Sequence, residues 1–346
     1  MSARTIVHVI DYGGATGGSF IPALCTLARA AQGRGDRFHV LATPIARSTW
    51  PEDMRRRGVP LSFVQDKKDV TKATRSLSPD IVHAHFSRYD VNAAAAGAPT
   101  FWHVHSYREQ RSLPAEVRAR VKYHLLSRNV RGWICVSDGV RHEILARGVP
   151  SSRTFVVYNG IDVNRFRPPT RAERNEARAK LDISGKEPVL LFFDRTPVKG
   201  GATLREALAQ LGVACRLLVT GADAADWEPF SRRYPVTFSS RVADARELYW
   251  AADALTLPSY GEGFSYVLAE GAACGLPVAA SDIPAVREIL GGVPDAFRAA
   301  PGNAGELAHA IQSAFDTGRP GAGRERIANA FSVERWANDL LQLYDS

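Results

Sequence analysis

Short apolar runs bounded by turn residues alternate along the chain with longer stretches in which apolar residues recur at helical spacing. The runs are TIVHVI, FHVLAT, LSFVQ, IVHAHF, TFWHVH, GWICVS and TFVVYN in the first half, then PVLLFFD, CRLLVTG, VTFSS, DALTLPS and LPVAAS in the second. Several are apolar at nearly every position, the pattern of strands in a parallel sheet covered on both faces by helices. Two α/β units in succession are therefore predicted. The turn dipeptide Asn159-Gly160 and the charged, proline-bearing Arg167-Pro168-Pro169 put the boundary near residue 160, giving units 1–160 and 161–331. A closing segment from Ser332 to residue 346 has helical spacing and a capping-box-like start.

In open parallel sheets ligands bind beyond the carboxyl ends of the strands, so chemistry is sought in the residues that follow each run. After the first run comes Gly13-Gly14-Ala15-Thr16-Gly17-Gly18-Ser19, then a helix. Such a loop is either a tight turn or a cradle that brings backbone N–H groups close to an anion. It does not match the G-x-G-x-x-G dinucleotide fingerprint, and the second run ends Leu41-Ala42-Thr43 without the acid that would hold a ribose. A nicotinamide dehydrogenase is disfavoured on both counts. His83 and His85 end one run and His103 and His105 another, each pair on one face of its strand. Zinc sites more often space their ligands and close with Cys, Asp or Glu, so at least two of these histidines are expected in the core and no metal is expected. His105, followed by Tyr107 and Arg108, is best placed to reach a ligand; His85, His103, Tyr107 and Arg108 are the acceptor-side candidates.

The second half carries sharper signals. Asp194-Arg195-Thr196-Pro197-Val198-Lys199 follows PVLLFFD and precedes Gly200-Gly201, presenting two cations at a helix start, a pairing suited to a diphosphate. Ser259-Tyr260-Gly261-Glu262-Gly263-Phe264-Ser265 leads into a helix with Glu270 among Ala, Gly and Leu. An acid set in such text is costly to bury without partners, which points to hydroxyls bonded there.

These segments resemble glycosyltransferase family 4, the retaining nucleotide-sugar enzymes of GT-B fold. EGFSYVLAEGAACGLPVAASD follows that family's Glu, seven residues, Glu pattern, and VVYNGIDVNRFRP its interdomain stretch; PDIVHAHF, HVHS, ICVSDGVRHEIL, FSSRVADARELYWAADALTLPS and the glycine loop support it more weakly. The resemblance implies an α/β GT-B architecture of two facing Rossmann-like domains with parallel sheets, acceptor on the first and donor on the second, the final helix returning to the first. It implies that Glu270 holds the ribose and Glu262 the donor sugar, that Gly263, Phe264, Ser265 and Tyr266 line sugar and diphosphate, and that Arg195 and Lys199 stabilise the departing diphosphate with help from Gly17 and Gly18. His105 would lie beside the transferring sugar, and Gly221, Arg241 and Val242 near the base. The donor implied is a nucleotide-diphosphate sugar, UDP or GDP foremost, with retention by front-face substitution and no cofactor. Consistent with that, the chain contains no Asp-x-Asp. Two departures stand out: only three residues separate Arg195 from Lys199 where four are usual, leaving open which is the main phosphate ligand, and His103 stands where Thr is common. A same-fold epimerase or hydrolase and a non-catalytic binding subunit are the alternatives; incubating sugar nucleotides without acceptor separates the first.

Charge sharpens the acceptor side. The 346 residues carry 44 Lys/Arg against 36 Asp/Glu, a formal +8. Residues 1–160 hold 23 against 12 and the remainder 21 against 24, so the excess belongs to the first half. No nucleic-acid motif accompanies it. A helix expected over Leu113 to Arg131 aligns Val117, Val121 and Leu125 as an apolar stripe, expected to be packed, with Arg118, Lys122, Arg128 and Arg131 outside it. The charge suits a phosphorylated or carboxylated soluble acceptor, or peripheral contact with an anionic membrane, the less favoured reading. Cys25, Cys135, Cys215 and Cys274 are scattered without a CxxC pair, no leader precedes the first run, and no apolar run is long enough to span a bilayer, so a cytoplasmic location is expected.

Overall fold

The computed structural model describes residues 3–105, 113–125, 129–221, 224–231, 234–239 and 244–346. The chain divides into two compact units, 1–160 with 333–346, and 161–332.

The first unit contains a seven-stranded sheet made of β1 (Thr5–Ile10), β2 (Arg37–Ala42), β3 (Leu61–Phe63), β4 (Ile81–His85), β5 (Thr100–Val104), β6 (Val130–Cys135) and β7 (Thr154–Val156). Their spatial order is β3-β2-β1-β4-β5-β6-β7 and every pairing is parallel. All six residues of β1 are buried, as a strand covered on both faces must be. The helix Phe20–Gly33 covers one face through Leu24, Leu27 and Ala28. The helix Val333–Asp345, the last of the chain, joins the same core through Trp336, Leu340 and Tyr344. Close approach at its start leaves no room for a side chain at residue 160: a Cβ on Gly160 would lie 2.6 Å from the Val333 Cα.

The second unit contains a six-stranded parallel sheet of β8 (Val189–Phe193), β9 (Arg216–Thr220), β10 (Val236–Ser239), β11 (Ala254–Leu257), β12 (Val278–Ser281) and β13 (Ala296–Ala299), ordered β10-β9-β8-β11-β12-β13. In both sheets the chain moves outward one way from the first strand, then returns to its other side. The strand order therefore reverses between β1 and β4 and between β8 and β11, and at such a point the loops leaving two neighbouring strands diverge and open a crevice.

Three local expectations are corrected. β13, AFRA, is missing from the sequence reading because it is a short edge strand with a charge at its third position. The helix expected to reach Arg131 ends at Leu125, and Val130 and Arg131 belong to β6. Of its expected apolar stripe, Val117 and Val121 are not packed but 55% and 44% exposed, and Leu113 one turn earlier is 81% exposed. Ala119 and Tyr123 make the inward face instead, and the Lys122 ammonium lies 5.0 Å from the centre of the Trp102 ring and reaches Asp90 at 2.5 Å. The side chain of Leu125 and all of Arg128 lie outside the described residues. All four cysteines are buried free thiols. Burial pushes Cys25 up to about 11 and the other three to about 12, which leaves them unreactive thiols.

Candidate functional site

The two post-strand loops at the second switch point meet. After β8 the chain makes a single 3₁₀ turn, Pro197–Lys199, and passes through Gly200 into the helix Gly201–Gln210. After β11 it runs through Pro258 to Ser265 and enters the helix Tyr266–Ala273. The Tyr260 N–H donates to the Val198 carbonyl at 2.9 Å, joining the loops. Contact is so close that a Cβ on Gly200, which sits at φ +79°, would lie 2.0 Å from the Pro258 oxygen. Only glycine meets both conditions.

This juncture sets Lys199 Nζ 2.6 Å from Glu262 Oε1, and the Ser259 hydroxyl donates to the same oxygen at 2.8 Å. The Lys199 and Glu262 side chains are 22% and 10% exposed, so the pair is largely shielded, the ammonium more accessible than the carboxylate. Arg195 does not join it. Its side chain lies over the Phe193 ring at 5.8 Å and against Gly221, whose Cβ would fall 2.7 Å from Arg195 Cγ. Gly221 is exposed and packs against the aliphatic stem of Arg195. Asp194 accepts from the Trp227 indole at 2.9 Å and lies beside Gly201 at the helix start.

Glu270 is 6% exposed and accepts a hydrogen bond from the Tyr249 hydroxyl at 2.7 Å, so it is a partnered interior carboxylate rather than a solvated one. Burial, then the charge of Glu270, raises the Tyr249 phenol well above its ordinary value, which keeps it a donor. Ser265 caps the helix, its oxygen accepting from the Leu268 N–H at 3.4 Å, and Phe264 packs edge-on to Tyr266. Gly263 is buried beside them. Arg241 and Val242 lie outside the described residues.

In the first unit, the loop after β1 carries Gly18 at φ +52°, where a Cβ would stand 2.8 Å from the Tyr12 hydroxyl; Gly17 accepts from the Ile21 N–H at 3.1 Å at the entry to the helix. His83, His85 and His103 are 0%, 0% and 2% exposed. His85 and His103 are therefore corrected as acceptor contacts: β4 and β5 pair in register, His85 opposite His103, and turn these rings into the interior. His105, just past β5, is partly buried, paired with His85 at 3.0 Å and stacked on Phe86. Burial lowers His8 and His105 to about 3 and carries His83, His85 and His103 well below the ordinary histidine value, so all five rings are neutral. Tyr107 and Arg108 lie outside the described residues. Ser259, Tyr249 and Tyr344 were not singled out from the sequence; Ser259 was signalled by its place three residues before Glu262, whereas nothing local marked the other two.

Two family models match consecutive stretches of the chain: Glycosyltransferase Family 4 over residues 23–165 and Glycosyl transferases group 1 over residues 187–317. The D-inositol 3-phosphate glycosyltransferase of Rhodococcus erythropolis is 30% identical over 226 residues, 59% of this chain and 50% of that protein. The Mycobacterium bovis protein of the same name is 33% identical over 176 residues, 46% of this chain and 34% of that protein. The matched stretch thus spans at most half the length of these relatives. Among solved structures, Anabaena Alr3699/HepE, crystallised with UDP and glucose, superposes with a TM-score of 0.84 at 20% identity over 99% of this chain and 100% of that one. A glycosyltransferase from Rickettsia africae superposes at 0.82 with 19% identity, covering 99% and 98%. No helix among the described residues is long and apolar enough to cross a membrane. Two parallel-sheet units, the paired post-strand loops of the second and both family matches make one conclusion: the chain belongs to glycosyltransferase family 4 and has the GT-B fold.

Proposed function

We propose that the protein transfers a sugar from a nucleotide-diphosphate sugar to a hydroxyl of a small phosphorylated or carboxylated acceptor, with retention at the anomeric carbon and without a metal ion. The observation that carries this is the Lys199–Glu262 pair at the second switch point. Loss of a diphosphate develops negative charge on the leaving oxygen, and a fixed, partly desolvated ammonium stabilises that charge where it grows. Lys199 takes this role; Arg195, turned onto Phe193 and Gly221, is the secondary cation. Glu262 accepts from donor-sugar hydroxyls, exchanging its bond to Lys199 for them as Lys199 turns to the phosphate. Glu270 accepts from the ribose, with Tyr249 holding its other oxygen. In front-face substitution the C–O bond to the diphosphate breaks as the acceptor oxygen bonds on the same face, and the acceptor proton passes to the departing phosphate. No group of this chain is needed as the base.

UDP is the favoured nucleotide because the Anabaena neighbour was solved with it. The anionic acceptor is supported by the charge of residues 1–160 and by the inositol phosphate in the relatives' names. A thermal-shift panel of UDP, GDP, ADP, TDP and CMP tests the donor side, because a ligand stabilises the state it binds by mass action. Selective stabilisation by one nucleoside diphosphate is expected, and no shift from any of them overturns the reading. Anomeric configuration of the product by NMR, with and without EDTA, tests retention and metal independence.

The exposed Leu113, Val117 and Val121 favour a second reading of the acceptor. The exposed Arg118 and Arg120 flank that stripe on the Leu113–Leu125 helix, an arrangement suited to the headgroup layer of an anionic bilayer. Co-sedimentation with anionic but not neutral vesicles at physiological salt would move the acceptor to a lipid-linked one.

A further inference from the structure

Five histidines and one tyrosine of the first unit are joined end to end. His105 Nε2 lies 3.0 Å from His85 Nδ1, and His85 Nε2 lies 3.0 Å from His8 Nδ1. His8 Nε2 stands 3.4 Å from the Tyr344 hydroxyl, which also pairs with His83 Nδ1. His83 Nε2 then lies 3.1 Å from His103 Nδ1, and His103 Nε2 ends the series, buried with no partner. Between the two ends every nitrogen is used once.

A neutral imidazole offers one donor and one acceptor nitrogen, and a hydroxyl has one proton to give. A link between two rings therefore needs a donor facing an acceptor, so the tautomer chosen at one ring dictates that of the next. Following the atoms through, only two arrangements satisfy all five links and also use the Tyr344 proton. Either every histidine carries its proton on Nδ1 and Tyr344 donates to His8, or every histidine carries it on Nε2 and Tyr344 donates to His83. A third, in which Tyr344 accepts from both His8 and His83, leaves that proton unmet in the interior. A single ring of opposite tautomer sets two donors or two acceptors face to face in a dry interior, where an unmet polar group is costly. The neutrality of all five rings, imposed by burial, removes the escape of a doubly protonated ring.

We propose that His8, His83, His85, His103, His105 and Tyr344 form one proton-ordered chain that sets the tautomer of His105, with His8 and Tyr344 as positioning residues. His105 is the one member that is not fully buried, and its Nδ1 is the nitrogen the chain leaves unused. The order of the chain decides whether that nitrogen donates to or accepts from a hydroxyl brought against it. The catalytic consequence rests on His105 lying beside the transferring sugar; the ordering itself does not. A metal ion is the competing use of the same rings, since nitrogens of His85, His103 and His105 lie within 4.8 Å of one another. The distances favour hydrogen bonds, because the His85 and His105 nitrogens already meet at 3.0 Å.

Two-bond ¹H–¹⁵N correlation spectra of the full chain labelled in histidine distinguish the tautomers ring by ring. One tautomer shared by all five rings is expected, and both tautomers divided among the five in the native protein overturn the proposal. In Tyr344→Phe the link between the halves is gone, so His8, His85 and His105 lose the sense imposed through it and these three rings should show both tautomers. If these three rings keep the native tautomer in that variant, Tyr344 does not set the tautomer of His105. Should the variant fail to fold, the native spectrum alone decides. Stoichiometric Zn²⁺ that binds the native protein and erases the ring-to-ring hydrogen bonds of His85, His103 and His105 overturns the ordering in favour of a metal site.

Discussion

Lys199 and Glu262 neutralise one another at 2.6 Å, which makes each the other's placeholder until a donor arrives. Removing either leaves the fold intact, because the pair lies outside the sheet, and without Lys199 the Ser259 hydroxyl still donates to Glu262. Turnover depends on both. Lys199→Ala and Glu262→Gln should each lower kcat/KM by orders of magnitude with unchanged circular dichroism, a loss of transition-state stabilisation rather than of structure. Near-normal transfer by either variant would remove the basis of the assignment. Arg195→Ala should cost less than Lys199→Ala, since its guanidinium rests on Phe193 and Gly221. Gly200 belongs to the same juncture. A side chain there is strained at φ +79° and meets the Pro258 oxygen at 2.0 Å. The backbone strain alone is worth about 1–3 kcal/mol. Gly200→Ala should therefore lower the denaturation midpoint and loosen the donor site together.

Among elements, strands were legible wherever apolar text ran unbroken. β8 reads VLLFF and β11 begins ALTL, both buried at every position, and a sequence of that kind leaves few other homes. β13 reads AFRA and pairs along only one edge, so its hydrogen bonds come from the partner strand β12 rather than from any pattern of its own. Helical periodicity identified a stripe on the Leu113–Leu125 helix but not what covers it. Spacing fixes which residues share a face; only the neighbouring elements decide which face is inward, and here Ala119 and Tyr123 turn in. The donor loops were legible because both cations and both acids follow strands that the apolar pattern had already located. The histidine chain was legible only as two pairs: its central link, Tyr344, comes from the other end of the sequence. The stripe carries a prediction at this scale. Replacing Leu113, Val117 and Val121 together with Ser should change stability by no more than about 0.5 kcal/mol per site, as for exposed positions in general. Urea unfolding of the triple variant checks this, and a loss of several kcal/mol would mean that the stripe is packed after all.

Across the whole molecule, the two units differ most in how they should respond to acid. The unit 1–160 with 333–346 contains His8, His83, His85, His103 and His105, all held neutral by burial, whereas the unit 161–332 has one histidine, the exposed His309. A histidine whose folded value is about 3 and whose unfolded value is about 6.5 binds its proton more readily in the unfolded chain. Stability rises with pH wherever the unfolded state holds more protons, so this contribution is complete above about pH 6.5 and is lost progressively as the pH falls toward 3. The loss for each such ring is ~1.4 kcal/mol per pH unit through that window. The rings are linked, so their losses act on one cooperative core rather than on five separate places. Chains of two units need not unfold in a single step. Calorimetry between pH 7.5 and pH 5 should therefore show the first unit's transition moving down steeply below pH 6.5 while the second moves less. Assignment of the two transitions follows from adding the nucleotide selected by the thermal-shift panel, which should raise the second. Transitions that fall in parallel with acid would mean that the buried rings are not the source of the acid sensitivity.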